Sequence, residues 1–308
     1  DSKIALLREQ LDAEHSLYYS TCESEDGLIS ILGRKLEIWG SGVGPKQALT
    51  VSLTPSSGME VLKADILRRD GLTLANLGYM DLAEDKLARA ANYDDPRAIL
   101  EYARFAARQR RFDEAVEWNE KVIKMQAELV GGLHSAEAAE AYSNIGHIER
   151  RRLRYIDAAN RHESALMLIT GRDARSLRTR AKVLDALGLA RDDAGDLVGA
   201  LGAFDESLRL REDMGDELGV VQSNINLARL RFKQGDLDGA RVHCNLAISV
   251  IDKSDPSLLR ANAYTLLAQV EIEEGRFGQA NDAAVKGLAL NRQAGYEGGY
   301  TRVTDFIR

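Results

Sequence analysis

The stretch WGSGVGPKQALT, residues 39–50, sets three glycines and a lysine behind the apolar run KLEIW. Phosphate-cradling loops are assembled from these residue types. Backbone N–H groups surround the phosphate oxygens, the lysine reaches them, and a hydroxyl beside the lysine ligates magnesium. Here Pro45 precedes Lys46 where such a loop has glycine, so an N–H donor is lost, and Gln47 stands in the place of the hydroxyl. No βαβ pattern follows, and no apolar strand ending in Asp offers a second metal ligand. The stretch is read as a flexible turn, with no nucleotide and no other cofactor expected.

Histidine and cysteine offer little more. His15, His134, His147, His162 and His243 show none of the ligand spacings of a zinc site. His243 and Cys244 are adjacent, but Cys244 falls at an inward helix position and reads as a buried thiol rather than a nucleophile. His162 occupies a similar position and reads as a hydrogen-bonded packing residue. The carboxylate pair Asp192 and Asp193 reads as solvated surface. These residues carry no enzyme signature.

Composition narrows the class of protein. The chain has 308 residues, 44% of them hydrophobic and 29% charged, enough for one long or two ordinary soluble domains. Four prolines, few aromatics and abundant Ala, Leu, Arg, Glu and Asp favour helix over sheet. A formal charge of −7 argues against a protein that coats nucleic acid, which needs a basic excess to displace counterions. Cys22 and Cys244 stand far apart, which fits a reducing cytoplasm rather than a disulfide framework. No apolar run has the length of a membrane helix, and no signal-peptide layout opens the chain. With Asp at position 1, the sequence is expected to be a piece of a longer one.

The elements that must position any site emerge from an internal ruler. Gly71, Ala103, Gly146, Gly188, Ala228 and Ala268 are each followed 12 residues later by an alanine: Ala83, Ala115, Ala158, Ala200, Ala240 and Ala280. A large apolar residue comes nine after each (Met80, Phe112, Tyr155, Leu197, Leu237, Phe277), and a mostly small one comes 19 after (Ala90, Val122, Ala165, Ser207, Ala247, Gly287). Antiparallel helix pairs produce this pattern, because small residues let two backbones approach while larger ones fill the space beside them. Between the helices, AGDLVGA, KQGDLDGA and EEGRFGQA supply glycines suited to a left-handed cap, and two of the three supply an Asp to cap the second helix.

On these residues, best seen in Leu184, Leu187, Gly188, Gly195, Leu197, Ala200, Phe204 and Ser207, the chain resembles the tetratricopeptide repeat superfamily. The second-helix alanines are spaced by 32, 43, 42, 40 and 40 residues, which is similar to the long-helix subclass of kinesin light chains and bacterial signalling regulators. The Gly-x-x-x-Gly lead-ins of MGDELGVVQSNINLARL (214–230) and AGYEGGYTRVTDFIR (294–308) add to the likeness. The resemblance implies an all-α, right-handed solenoid of antiparallel hairpins: six over 59–308, then the first helix of a truncated seventh. It departs from the pattern at Arg110 and Leu153, which replace the inter-helix glycine. It departs again at Asn119 and His162, which stand where the second helix usually has an aromatic, and at Asp70. Residues 1–58 form a separate N-terminal region. A helix is expected over 2–21 and a degenerate repeat from 27, with 40–58 open between a helical turn and a β-hairpin. TPSSG (54–58) reads as a linker in either case.

The resemblance also implies a concave face lined by the first helices, which contacts a protein or peptide partner. Mapped from the small first-helix residue, that face holds Arg68, Arg69, Arg97, Arg104, Arg108, His147, Arg150 and Arg151, and further along Arg229 and Lys233. The fourth repeat contributes Asp185, Asp192 and Asp193. A basic stretch in an acidic protein would steer an acidic segment and grip its carboxylates bidentately, and it also suits a phosphorylated peptide. Asn144 and Asn226, just ahead of the small residue, match positions that hydrogen-bond an extended partner's backbone in peptide-binding members. The chaperone-tail clamp is not matched, since Arg68 and Leu72, or Leu100 and Arg104, stand at its positions. The expected function is a non-enzymatic, cytoplasmic scaffold or sensor that binds protein rather than nucleic acid or membrane. The alternative is the regulatory arm of a larger signalling ATPase, protease or transcription regulator.

Overall fold

A computed structural model describes residues 55–128, 136–250 and 258–293, and their regular structure is entirely α-helical. The twelve helices among the described residues are α1 (Pro55–Asn76), α2 (Met80–Ala91), α3 (Pro96–Arg108), α4 (Phe112–Ala127), α5 (Ala136–Arg151), α6 (Tyr155–Leu168), α7 (Ala174–Asp193), α8 (Leu197–Met214), α9 (Glu217–Lys233), α10 (Leu237–Val250), α11 (Leu258–Glu273) and α12 (Phe277–Gln293). They pack as sequential hairpins. The chain divides into two compact units, Asp1–Tyr102 and Ala103–Arg308. In the first, α1 and α2 close on a core of Ala64, Leu67, Ala90 and Ala98, with Tyr93 against it.

The alanines and small residues of the ruler are buried in every hairpin. Ala115 packs with Ala106, Ala200 with Phe204, and Ala158 with Leu187 and Ala190. The large apolar residues nine positions on behave differently from expectation. They sit at the first turn of each second helix, where Met80 and Phe277 are exposed and the other four are half-buried. A helix N-terminus at the edge of the stack has no neighbour on one side, so these side chains cover the seam only in part.

The turns explain the glycines. Gly195, Gly235 and Gly275 have φ of 85°, 77° and 73°, a conformation that lacks a steric cost only without a Cβ. At the end of α7, Asp196 N–H donates to Arg191 O (2.9 Å) and Gly195 N–H to Asp192 O (3.1 Å), which satisfies carbonyls the helix leaves open. The carboxylates of Asp196 and Asp236 then accept from the N–H of Gly199 and Gly239, each at 2.9 Å, and cap α8 and α10. Arg110 and Leu153 adopt the same left-handed turn, each at φ 63°, so the departures from glycine are absorbed as backbone strain.

Polar groups tie neighbouring hairpins in the second unit. Arg211 of α8 pairs with Asp185 of α7 at 2.6 Å, and its Nη1 donates to Gly219 O (2.7 Å) and Ser223 Oγ (2.9 Å) of α9. Lys233 of α9 pairs with Asp192 of α7 at 2.7 Å.

The linker expected over 54–58 is corrected from Pro55 onward. Pro55–Gly58 form the first turn of α1, where proline's fixed φ suits a helix and its missing N–H costs nothing. WGSGVGPKQALT, the helix expected over 2–21, the degenerate repeat and the choice of conformation over 40–54 lie outside the described residues. So does the opening of a seventh repeat in 294–308.

Candidate functional site

Within the second unit, the end of α3 from Ala103 onward, α5 and α7 border a cavity of about 610 Å³. The C-terminal part of α3 contributes Arg104 and Arg108, α5 contributes Glu140, Asn144, His147 and Arg151, and α7 contributes Arg175, Arg178 and Lys182. Asn119 of α4, fully buried, also lines it. Helical spacing accounts for the convergence: 104 and 108, or 144, 147 and 151, lie three or four residues apart and share a face.

A chain of hydrogen bonds runs along one wall. Arg104 pairs with Glu140 and its Nε donates to Asn144 Oδ1 (3.4 Å). Asn144 Nδ2 donates to Asn119 Oδ1 (3.1 Å), and Asn119 Nδ2 donates to Ala115 O (2.6 Å). Arg151 donates to Ala107 O (2.6 Å), and its guanidinium lies 4.9 Å from the centre of the Phe112 ring. The other cations stand differently. Arg108, Arg175, Arg178 and Lys182 are exposed, and none pairs with a carboxylate among the described residues. Six cations and one carboxylate therefore line one concavity in a chain of net charge −7.

His147 is reached by solvent at the cavity wall, yet lies deep in the concavity, 5.0 Å edge-on from the His162 ring. Desolvation there, then Arg150 and Arg104, holds its pKa below the usual imidazole value. His162, fully buried, is pushed down to about 3 by burial first and then by His147 and Arg150. Its Nδ1 lies 3.4 Å from Ser143 Oγ, and its Nε2 has no hydrogen-bond partner among the described residues. The wall thus presents neutral imidazole among permanent cations.

The sequence-derived site residues separate into three groups. Arg104, Arg108, Asn144, His147 and Arg151 come together at the cavity. Arg150 instead donates to Asp193 Oδ2 at 2.6 Å, away from the lining. On α9, Asn226 is buried with its oxygen accepting from Gln222 Nε2 (3.1 Å), Lys233 is held by Asp192, and Arg229 is exposed. In the first unit, Arg68 and Arg69 both pair with Asp65, at 2.6 and 2.8 Å, and Arg97 is exposed near the start of α3.

The reading of Asp192 as solvated surface is corrected: it is buried and pairs with Lys233. Asp185, expected in the groove, is buried against Arg211, with its pKa raised by burial and opposed by that guanidinium. Cys244 is buried, and burial followed by the charge of Glu271 pushes its thiol up to about 12, too high for a thiolate nucleophile.

Sequence reasoning missed Asn119, Arg175, Arg178 and Lys182. Lys182 was within reach, since it stands six residues before Gly188 as Arg97 stands before Ala103. Arg175 and Arg178 belong to the early turns of the 20-residue α7, beyond the offsets of a ruler anchored at Gly188.

No protein-family model matches the sequence, and no curated protein matches it significantly. Solved structures do match in shape. The apo form of RapI superposes with a TM-score of 0.62 at 14% identity, covering 86% of this chain and 71% of that one. BtubC (BKLC) from P. vanneervenii gives 0.58 at 17% identity, with 78% and 92% covered. A putative kinesin light chain from Podosopora anserina, described as having nearly identical TPR-like repeats, gives 0.53 at 17% identity, with 65% and 98% covered. Among the described residues no helix is long and apolar enough to cross a membrane. The ruler of small residues, the hairpins it builds and these superpositions agree: the chain has the fold of tetratricopeptide-like repeat proteins.

Proposed function

We propose that this protein is a non-enzymatic binding module whose α3/α5/α7 groove takes an acidic segment of a partner protein. The observation that carries the reading is the charge imbalance of the cavity: six cations to one carboxylate, five of those cations exposed without a carboxylate partner among the described residues. A concave, partly desolvated wall of one sign focuses its field on an incoming ligand of the opposite sign. Guanidinium forks then grip carboxylates in two-point contacts. Asn144, with one amide hydrogen unused by its bonds to Arg104 and Asn119, adds a neutral donor beside them.

The test is fluorescence anisotropy with a short labelled Asp/Glu-rich peptide and its Asn/Gln counterpart. The acidic peptide should bind and weaken as salt rises. Arg108→Glu combined with Arg178→Glu should lower its affinity by at least about tenfold while helical circular dichroism is retained. Equal binding of the two peptides, or an unchanged double variant, rejects the reading.

A further inference from the structure

Resting on that reading of the groove, we propose that its preferred occupant is a phosphorylated side chain of a partner protein, a compact dianion held between α7 and the facing walls of α3 and α5.

The distribution of charge within the cavity supports a dianion. Glu140, the one carboxylate of the lining, is taken by Arg104. Arg151 is steadied by Ala107 O and the Phe112 ring. The side chains of Arg108 on α3 and of Arg175, Arg178 and Lys182 on α7 form no ion pair with a carboxylate among the described residues. The three α7 residues stand at i, i+3 and i+7, which sets them on one face of that helix, the face that lines the cavity. Like charges gathered around one concavity repel, and a lone carboxylate relieves only part of that repulsion. A phosphomonoester carries about −1.5 to −2 charges on three strong acceptor oxygens, so a single group can engage several of these donors at once.

The rest of the chain argues for a local anion rather than a long one. The protein as a whole is acidic, at −7, and the cation excess described above belongs to the cavity. A nucleic-acid strand binds by laying many phosphates along an extended basic surface and would be repelled outside this pocket. One phosphorylated residue with short flanks places its charge inside and little outside.

The experiment uses the full chain and three labelled peptides that share acidic flanks and differ at one central residue: phosphoserine, glutamate or serine. The phosphoserine peptide should bind at least about tenfold more tightly than the glutamate peptide. Arg178→Ala with Lys182→Ala should erase that margin with helical circular dichroism unchanged, and Arg292→Ala, remote from the cavity, should leave it intact. Equal affinity for the phosphoserine and glutamate peptides overturns the dianion preference while leaving an acidic groove in place. Binding of none of the three rejects both readings. Competition by a single-stranded oligonucleotide as strong as that by the phosphopeptide overturns the proposal in favour of nucleic acid.

Discussion

The His162 imidazole lies so close to the backbone of Gly146 that a methyl group at position 146 would fall 2.7 Å from the ring. Phe204 stands in the same relation to Gly188 (2.5 Å) and Leu87 to Gly71 (2.6 Å). Where the first helix carries Ala instead, at 103, 228 and 268, the residue 16 positions on is Asn119, Cys244 or Ala284, each smaller than its counterpart in the glycine hairpins. Size on one helix is therefore answered on the other. Gly146→Ala and Gly188→Ala should each cost about 1–3 kcal/mol by overpacking. Gly202→Ala, in α8 with nothing within 4 Å of its added methyl, should instead stabilise by about 0.5–1 kcal/mol. Urea unfolding of the three variants separates the effects.

Leu153, in the turn after α5, has φ 63° and is 70% exposed, so it bears the cost of a left-handed backbone without burying much in return. Leu153→Gly should stabilise the chain by about 1 kcal/mol, and Gly195→Ala, at φ 85°, should destabilise it by a similar amount. Thermal melts with opposite shifts in Tm would bear this out.

His162 is neutral in the fold, with a pKa of about 3 against 6.5 for an unperturbed imidazole. Between those values the unfolded chain binds the proton and the folded chain does not. Stability is therefore full above about pH 6.5 and falls with acidification, by up to roughly 1.4 kcal/mol per pH unit for this group. His162→Phe, which imitates Phe204, should flatten the difference between urea midpoints measured near neutrality and near pH 5. An identical acid sensitivity in the variant would assign the loss to other groups.

Asp185 and Arg211 are both buried, so removing either leaves a charge without its partner. Arg211→Met and Asp185→Ala should each cost about 3–5 kcal/mol, and the double variant should cost clearly less than their sum. A denaturation cycle measures that coupling.

Arg150 and Arg108 make a sharper contrast. Both were expected in the groove, but Arg150 is engaged by Asp193 while Arg108 lines the cavity. Arg108→Ala should weaken an acidic peptide by about 10-fold or more, whereas Arg150→Ala should leave peptide affinity nearly unchanged. Anisotropy titrations of the two variants decide it.

The hairpins were legible in the sequence because burial there obeys a fixed spacing, and the small residues at 12 and 19 positions record how near two backbones come. The groove was legible in part. Arg104, Arg108, Asn144, His147 and Arg151 obey the same offsets, so the ruler that located the seams also located them. Asp185, Asp192 and Arg150 obey it too, yet they are turned to structural work by partners 26, 41 and 43 residues away in sequence, Arg211, Lys233 and Asp193. No local pattern announces such pairings. Arg175 and Arg178 escaped because α7 extends N-terminally past the reach of its marker glycine.

Arg211 holds α7 through Asp185 and α9 through Gly219 and Ser223 while belonging to α8. A stack whose hairpins touch only at apolar seams can fray one hairpin at a time. A shared guanidinium opposes this at its position, since detaching any of the three helices breaks at least one of its buried bonds. The middle of the array should therefore breathe as a single block. In hydrogen exchange, the amides of α7, α8 and α9 should report one common opening, slower than that of α12, and Arg211→Met should split it into separate events.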